Sequence, residues 1–387
     1  MSDNNFIIFG KPSIGDDEIA EVTDSLKSGW IGTGPKVKQF ESDFAAYQGV
    51  SEDQVAAVNS CTAALHLSLI AAGIGPGDEV ITTSMTFCAS VNAIIHSGAT
   101  PILADIDSQT FNISHQEIAK KITSKTKAVL IVHFAGRPCN MDEIASITQR
   151  NNLVLIEDCA HAIESKYRNK PTGTFGDFGC YSFYATKNMT TAEGGMVIAK
   201  EKSLIKKIKT LSLHGMSQDA WHRFGDNGYK HYLVKESGFK YNLTDLCASL
   251  GIHQLKKIDT MWAQRQKIWD TYMSELKNLA IILPQEPEQN SSHSYHLFTL
   301  QMSSACAIKD RDLALEKFTS LGIGVGVHYL AIPEHPYYQR KYGIKPADTP
   351  NAMKFGRRTI SIPLSPSLSQ NQIERIISAV KVVSNRA

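Results

Sequence analysis

The chain has 387 residues, 42% of them apolar, which is too long for one small core and suits a large α/β unit with a smaller one beside it. Forty basic residues against 38 acidic leave a net charge of +2, and no Lys/Arg run exceeds a pair, which excludes a nucleic-acid footprint. The N-terminal stretch carries acidic residues and no apolar segment of signal length, and no uninterrupted apolar run is long enough to span a bilayer, so a soluble, cytoplasmic protein without a membrane partner is expected.

From about residue 54 to 200, short β-rich runs alternate with helical ones. The expected strands are QVAAVNS (54–60), EVITTS (79–84), PILADI (101–106), KAVLIV (127–132) and LVLIE (153–157). Between them TAALHLSLIAAGI, FCASVNAIIHSG, SHQEIAKKI and MDEIASITQRN return apolar residues at three- and four-residue spacing. Strands this apolar, separated by helices, imply a mainly parallel sheet covered on both faces. Ligands then bind outside the carboxyl ends of the strands. The segment 179–198, GCYSFYATKNMTTAEGGMVI, reads as two strands around a polar turn that holds Lys187. A helical run (203–215), a polar and aromatic stretch (216–241) and a helix at LTDLCASLGIHQL (243–255) follow. The chain is expected to divide into a large α/β domain, 1–260 with an N-terminal arm 1–35, and a small α+β domain, 261–387. The second contains β-like YHLFTLQM, helical RDLALEKFTSLG, extended GVGVHYL and a final helix QIERIISAVKVV. The seven cysteines are scattered singly, with no C-x-x-C pair and no zinc spacing to a histidine, so reduced thiols and no metal are expected.

The strand LVLIE runs into Glu157-Asp158-Cys159-Ala160-His161. A carboxylate buried at a strand end is costly unless a cation meets it, and a protonated pyridine nitrogen is such a partner for Asp158. The plainer reading of an isolated Asp there is a helix cap or a structural ion pair. Lys187, 29 residues on (187 − 158), changes the balance. It sits among Ser, Tyr, Thr, Asn and Gly and not on a charged helix face. Schiff-base chemistry needs a lysine whose pKa is lowered by its surroundings. Alone it reads as a solvated turn residue; the two together are far more specific. Asn59-Ser60-Cys61-Thr62 pass from a strand straight into a helix, where backbone N–H groups make a phosphate site, although Ser or Thr before a helix is usually just an N-cap. Ser182 can add a hydroxyl to the same phosphate. Phe87 can lie over a planar ring, or simply fill a core.

In these residues the sequence resembles the DegT/StrS family of aminotransferases. The motifs run in order from SGWIGTGP (28–35) through NSCTAAL, GDEVITTSMTF, VHFAGRP, IEDCAHA, SFYATKNMTTAEGGMV and GFKYNLTDLCASLG to GIGVGVHY and PYY (336–338), nearly the whole chain. The resemblance implies the fold-type I, aspartate-aminotransferase-like α/β architecture, a mainly parallel seven-stranded sheet with a smaller C-terminal domain. It implies pyridoxal 5′-phosphate as cofactor, with Lys187 as the Schiff-base lysine, Asp158 against the pyridine nitrogen, and His161 near the phenolic oxygen. Phe87 is then stacked on the ring, and Cys61, Thr62 and Ser182 lie at the phosphate. It also implies a homodimer with its sites at the interface, the GFKYN loop bringing Lys240 and Asn242 to the partner's phosphate. Many members carry Asn in a G-x-N-x-R version of that loop, and a small Gly or Ala where this chain has Cys61. Within the family, SGWIGTGP, the KN-x-T-x-AEGG run and GFKYNLTD resemble most closely the branch that makes UDP-4-amino-4-deoxy-L-arabinose.

The function so implied is amination of a nucleotide-linked 4-keto sugar, with L-glutamate giving 2-oxoglutarate, in bacterial cell-surface glycan or lipopolysaccharide synthesis. A UDP-4-keto-6-deoxy-N-acetylhexosamine or a 3-keto sugar is the alternative substrate. Trp30, Glu193, His328 and Tyr329 are candidate sugar contacts; structural roles serve Glu193 and a packed His328–Tyr329 pair equally well. Lys187 speaks against a sugar dehydratase of the same fold, which places histidine there. The intact Asp158, Lys187 and Ser182 speak against a silent regulator. No G-x-G-x-x-G follows the first strand, so a dinucleotide-dependent dehydrogenase loses its fingerprint.

Overall fold

The computed structural model describes residues 6–216, 231–286, 288–306 and 308–384. Residues 217–230 of the polar and aromatic stretch, and the first five of the N-terminal arm, lie outside the described residues. Seven strands make the central sheet: β1 (Val55–Val58), β2 (Glu79–Thr83), β3 (Thr100–Ala104), β4 (Thr126–Val132), β5 (Val154–Asp158) and, after a small hairpin of β6 (Lys166–Tyr167) and β7 (Lys170–Pro171), β8 (Phe178–Ser182) and β9 (Gly195–Ala199). Their order is β1-β9-β8-β5-β4-β2-β3. Strands β3, β2, β4, β5 and β8 run parallel, and β9 alone runs against its neighbours β8 and β1. The expected mainly parallel, seven-stranded sheet is therefore the observed one.

The pleat explains why both faces are covered. Along β4, Ala128, Leu130 and Val132 enter one core with Leu65, Leu67, Ile94 and Ile156, while Val129 and Ile131 enter another with Ile81, Ile144 and Leu155. Helices Cys61–Ala71, Cys88–His96 and Lys202–Ser212 lie on the first face, and Met141–Arg150 on the second. Because all strands but β9 point the same way, the residues after β1, β2, β4, β5 and β8 gather along one edge of the sheet, which positions the site.

Toward the C-terminus, β10 (Ile281–Ile282), β11 (Phe298–Met302) and β12 (Thr359–Ile362) form an antiparallel sheet. It packs on helices Ile258–Leu276, Arg311–Ser320 and Gln370–Ser384 around Trp269, Tyr272, Phe298, Phe318, Ile360 and Ile376. The helix Ile258–Leu276 feeds two cores from one stripe, Ile258 and Met261 in the first and Ile268, Trp269, Tyr272 and Leu276 in the second. Ile7 of the N-terminal arm also belongs to the C-terminal core, its backbone bonded to Gly322 and Gly324. The extended GVGVHYL run is not a strand. A backbone bridge from Gly326 to Ser361 and the His328 side chain on the Ser361 hydroxyl hold it against β12.

Candidate active site

Asp158 ends β5 and is 5% exposed. Its Oδ2 accepts from the Ser90 hydroxyl at 2.8 Å and its Oδ1 from the Ala160 N–H at 3.0 Å. The Cys61 thiol lies 3.7 Å from Oδ1, so this cysteine, expected at the phosphate, touches the carboxylate with its side chain. Burial pushes the Asp158 carboxyl above its ordinary 3.8, and the Ala160 and Ser90 hydrogen bonds and Lys187 pull it back. Ser90 is the partner that sequence reading missed. It stands 68 positions before Asp158 with no local signal; only the helix Cys88–His96, capped at Phe87, brings it there.

Lys187 lies in the loop between β8 and β9. Its neighbour Asn188 anchors that loop, donating to both Glu164 oxygens (3.0 and 2.7 Å) and to the Ser294 carbonyl (2.9 Å). Arg265, on the helix Ile258–Leu276, meets Glu164 at 2.5 Å in a pair that is almost wholly buried. The loop is thus pinned, while Lys187 Nζ has no hydrogen-bond or ion-pair partner among the described residues. Loss of water around the amine lowers the Lys187 pKa from 10.5 to about 8, with Asp158 opposing the shift.

Lys187 and Asp158 share the walls of one cavity of about 430 Å³. Ser60, Cys61 and Thr62 line it at the start of the helix Cys61–Ala71, where first-turn N–H groups have no carbonyl partner within the helix. Only glycine fits at the start of β9 beneath them: a Cβ on Gly195 would lie 2.5 Å from the Ser60 carbonyl carbon and 2.7 Å from the Cys61 nitrogen. Ser182, Glu193, His328 and Tyr329 line the same cavity, as do Phe87, 58% exposed, and buried His161. His161 Nε2 meets the Tyr329 hydroxyl at 2.9 Å. His328 Nδ1 meets the Ser361 hydroxyl at 2.8 Å and its ring stacks on Phe9, burial lowering its pKa to about 4.

Trp30, Lys240 and Asn242 do not reach this cavity within one chain. Lys240 Nζ donates to Asn242 Oδ1 at 2.7 Å, and Trp30 and Asn242 line a separate groove with Thr33, Val37 and Met216. Elsewhere His133, Glu157 and Cys159 converge with a spacing that suits a metal. Glu157 is already spent there, taking the N–H groups of Gly173, Phe175 and Gly176 and the His133 ring.

An amine kept partly neutral, a buried carboxylate awaiting a cation, and a helix start beside a hydroxyl suit an aromatic aldehyde with a basic ring nitrogen and a phosphate. Together with the sheet, they define a pyridoxal phosphate-dependent aminotransferase of fold type I. Residues 12–381 match the DegT/DnrJ/EryC1/StrS aminotransferase family, and the chain belongs to it. It is 45% identical to the spore coat polysaccharide biosynthesis protein SpsC of Bacillus subtilis over 98% of this chain and 97% of that one. Among solved structures it is similar to Spr1654 of Streptococcus pneumoniae, described as a sugar aminotransferase and solved in its PMP form (TM-score 0.91, 33% identity, 97% of each chain). It is also similar to Helicobacter pylori PseC, an aminotransferase involved in the biosynthesis of pseudoaminic acid (TM-score 0.88, 27% identity, 97% of this chain and 98% of that one).

The Lys187 pKa gives the first expectation. Below about 8 the amine is protonated and cannot attack the cofactor aldehyde, so capture of pyridoxal phosphate by the apoprotein should accelerate as pH rises through 8 and then level off. Stopped-flow absorbance measures it. A rate that is flat between about pH 7 and about pH 10 would contradict the desolvated amine.

Proposed function

We propose that this chain carries the amino group of L-glutamate to keto carbon 4 of a nucleotide-linked sugar, releasing 2-oxoglutarate, in the cytoplasmic assembly of a cell-surface glycan. The observation that supports this most is the joint placement of Lys187 and Asp158 in one cavity of about 430 Å³. Pyridoxal phosphate, when bound, supplies the electron sink that acidifies the carbon next to nitrogen. Lys187 Nζ takes a proton from that carbon of the donor and returns one to the sugar carbon. Asp158 would hold the proton on the ring nitrogen. The first-turn N–H groups at Cys61 and Thr62 and the Ser182 hydroxyl would hold the phosphate, Phe87 would cover the ring, and His161 would serve the phenolic oxygen. The walls, completed by the second copy, would keep water from the reacting carbon.

Tyr184, Glu193, His328 and Tyr329 give the cavity hydroxyl, carboxylate and aromatic surfaces that suit a polyhydroxyl ring. Lys187 is the one Lys or Arg among the described residues on its walls, so a second cation is needed for the phosphates. This favours a homodimer in which Trp30, Lys240 and Asn242 of one copy serve the other copy's cavity. We also read residues 1–260 as the cofactor-binding unit and 261–387 as the small unit that closes over it. The spore coat polysaccharide for which SpsC is named and the pseudoaminic acid whose biosynthesis involves PseC support the glycan setting.

The test is spectroscopic. The protein is loaded with pyridoxal phosphate and given UDP-4-amino-4-deoxy-L-arabinose, a UDP-linked 4-amino-6-deoxy-N-acetylhexosamine and a 3-amino nucleotide sugar in turn. Bleaching of the visible cofactor band by a 4-amino sugar is expected. A response to L-glutamate alone, or to the 3-amino sugar alone, would overturn the 4-keto assignment while leaving the aminotransferase intact.

A further inference from the structure

Hydrogen bonds around His161 fix the position of one proton at the cavity wall. The Ala135 N–H donates to His161 Nδ1 at 3.2 Å, so Nδ1 carries no proton of its own. The ring then holds its single proton on Nε2. That proton points to the Tyr329 oxygen, 2.9 Å away, which must accept it. The hydrogen of the Tyr329 hydroxyl is therefore turned away from His161, and no other acceptor takes it among the described residues. Both side chains line the cavity that contains Lys187.

The surroundings hold this arrangement in place. His161 lies against the His296 ring, centroids 4.4 Å apart, and His296 Nδ1 lies 2.9 Å from Asn188 Oδ1. The Asn188 amide nitrogen is committed to Glu164 and Ser294, so its oxygen accepts and His296 donates from Nδ1. His296 is thus neutral in its turn when its other nitrogen is bare, and the residue that orients it follows Lys187 directly in the chain. Burial keeps both His161 and His296 well below the ordinary imidazole pKa and holds the Tyr329 phenol above its own, so the proton pattern persists across the physiological range.

We propose that Tyr329 is an aimed neutral donor of the active site: its O–H donates to a ligand oxygen that gains negative charge, and His161 is the positioning residue that sets its direction. The reading rests on the proposed function for the identity of that oxygen, which belongs either to the cofactor's phenol or to the sugar's carbonyl. A neutral donor suits such an oxygen, since it stabilises charge as it develops without placing a second cation beside Lys187.

Two measurements test it. In protein labelled with nitrogen-15 histidine, with His161→Gln to assign the signals, His161 Nε2 should show one-bond coupling to hydrogen and Nδ1 none; a proton on Nδ1 overturns the proposal. Tyr329→Phe, which keeps the ring and removes the O–H, is then loaded with pyridoxal phosphate. A shift of about one unit in the pH midpoint of the visible band assigns the cofactor oxygen. An unmoved midpoint with the sugar half-reaction slowed roughly tenfold, and the glutamate half-reaction unchanged, assigns the sugar oxygen. If neither the midpoint nor the sugar half-reaction changes, the donor role is refuted. The nitrogen spectrum and the band titration involve no sugar, so failure of the sugar assignment alone leaves them standing.

Discussion

Replacing Lys187 with alanine is expected to lower turnover by roughly 10,000-fold or more and to leave the folded apoprotein more stable than before at neutral pH. The two halves of this expectation have separate causes. In the proposed mechanism the amine is the base that moves the proton between carbons, and no other Lys or Arg among the described residues lines the cavity to replace it. Its contribution to folding is unfavourable at neutral pH, because the folded protein holds the amine at a pKa of about 8 against 10.5 outside. The unfolded chain therefore binds more protons between those values, so the cost is fully present below pH 8 and fades as pH rises toward 10.5. Thermal melts of the two apoproteins should converge over that window, and single-turnover assays with glutamate should show the loss. Retained turnover in the alanine variant would remove the central claim.

Asp158→Asn should slow the reaction on the order of 1,000-fold with a smaller loss of cofactor binding. An amide oxygen can still accept from the Ala160 N–H, and the amide nitrogen can face the Ser90 hydroxyl, which is free to donate to Thr86. What disappears is the negative charge that the proposed arrangement sets opposite the ring nitrogen. Glu157 supplies the control. One residue earlier on β5, it faces the other side of the sheet, where its two oxygens take three backbone N–H groups and the His133 ring. Glu157→Gln should spare the rate and cost on the order of 3 kcal/mol in stability, since an amide nitrogen would confront donors that need an acceptor. Near wild-type rates for Asp158→Asn, measured beside Glu157→Gln by half-reaction kinetics and denaturant melts, would mean that a different acid serves the ring.

The sheet was readable because each parallel strand is apolar on both faces and bounded by polar turns. KAVLIV became Thr126–Val132 and LVLIE became Val154–Asp158, each within one residue at either end. QVAAVNS came out shorter, Val55–Val58, because Asn59 and Ser60 turn into the helix and Ser60 caps it. The candidates at strand ends could be placed for the same reason: Asp158, Cys61 and Ser182 follow directly from where the strands stop. The meeting of Ser90 with Asp158, and that of Asn188 and Arg265 with Glu164, were not legible. Their meeting depends on sheet order and on a helix that brings Arg265 back 101 positions after Glu164, and neither leaves a local pattern. Lys240, Asn242 and Trp30 could be named from motifs, yet one chain keeps them on a different surface.

The walls around Lys187 come from widely separated parts of the chain. The sheet and the lysine loop are complete by Ala199, but Arg265, Ser294 and His296 hold that loop from behind, and His328 and Tyr329 close the cavity. A ribosome delivering this chain from its N-terminus would release the strand ends long before it released their lid. Until the last third is made, Lys187 would remain an ordinary hydrated lysine with no reason to select one aldehyde over another. Loading with cofactor is therefore expected to come late in the protein's biogenesis, once Arg265, Ser294, His296, His328 and Tyr329 are in place around the lysine loop.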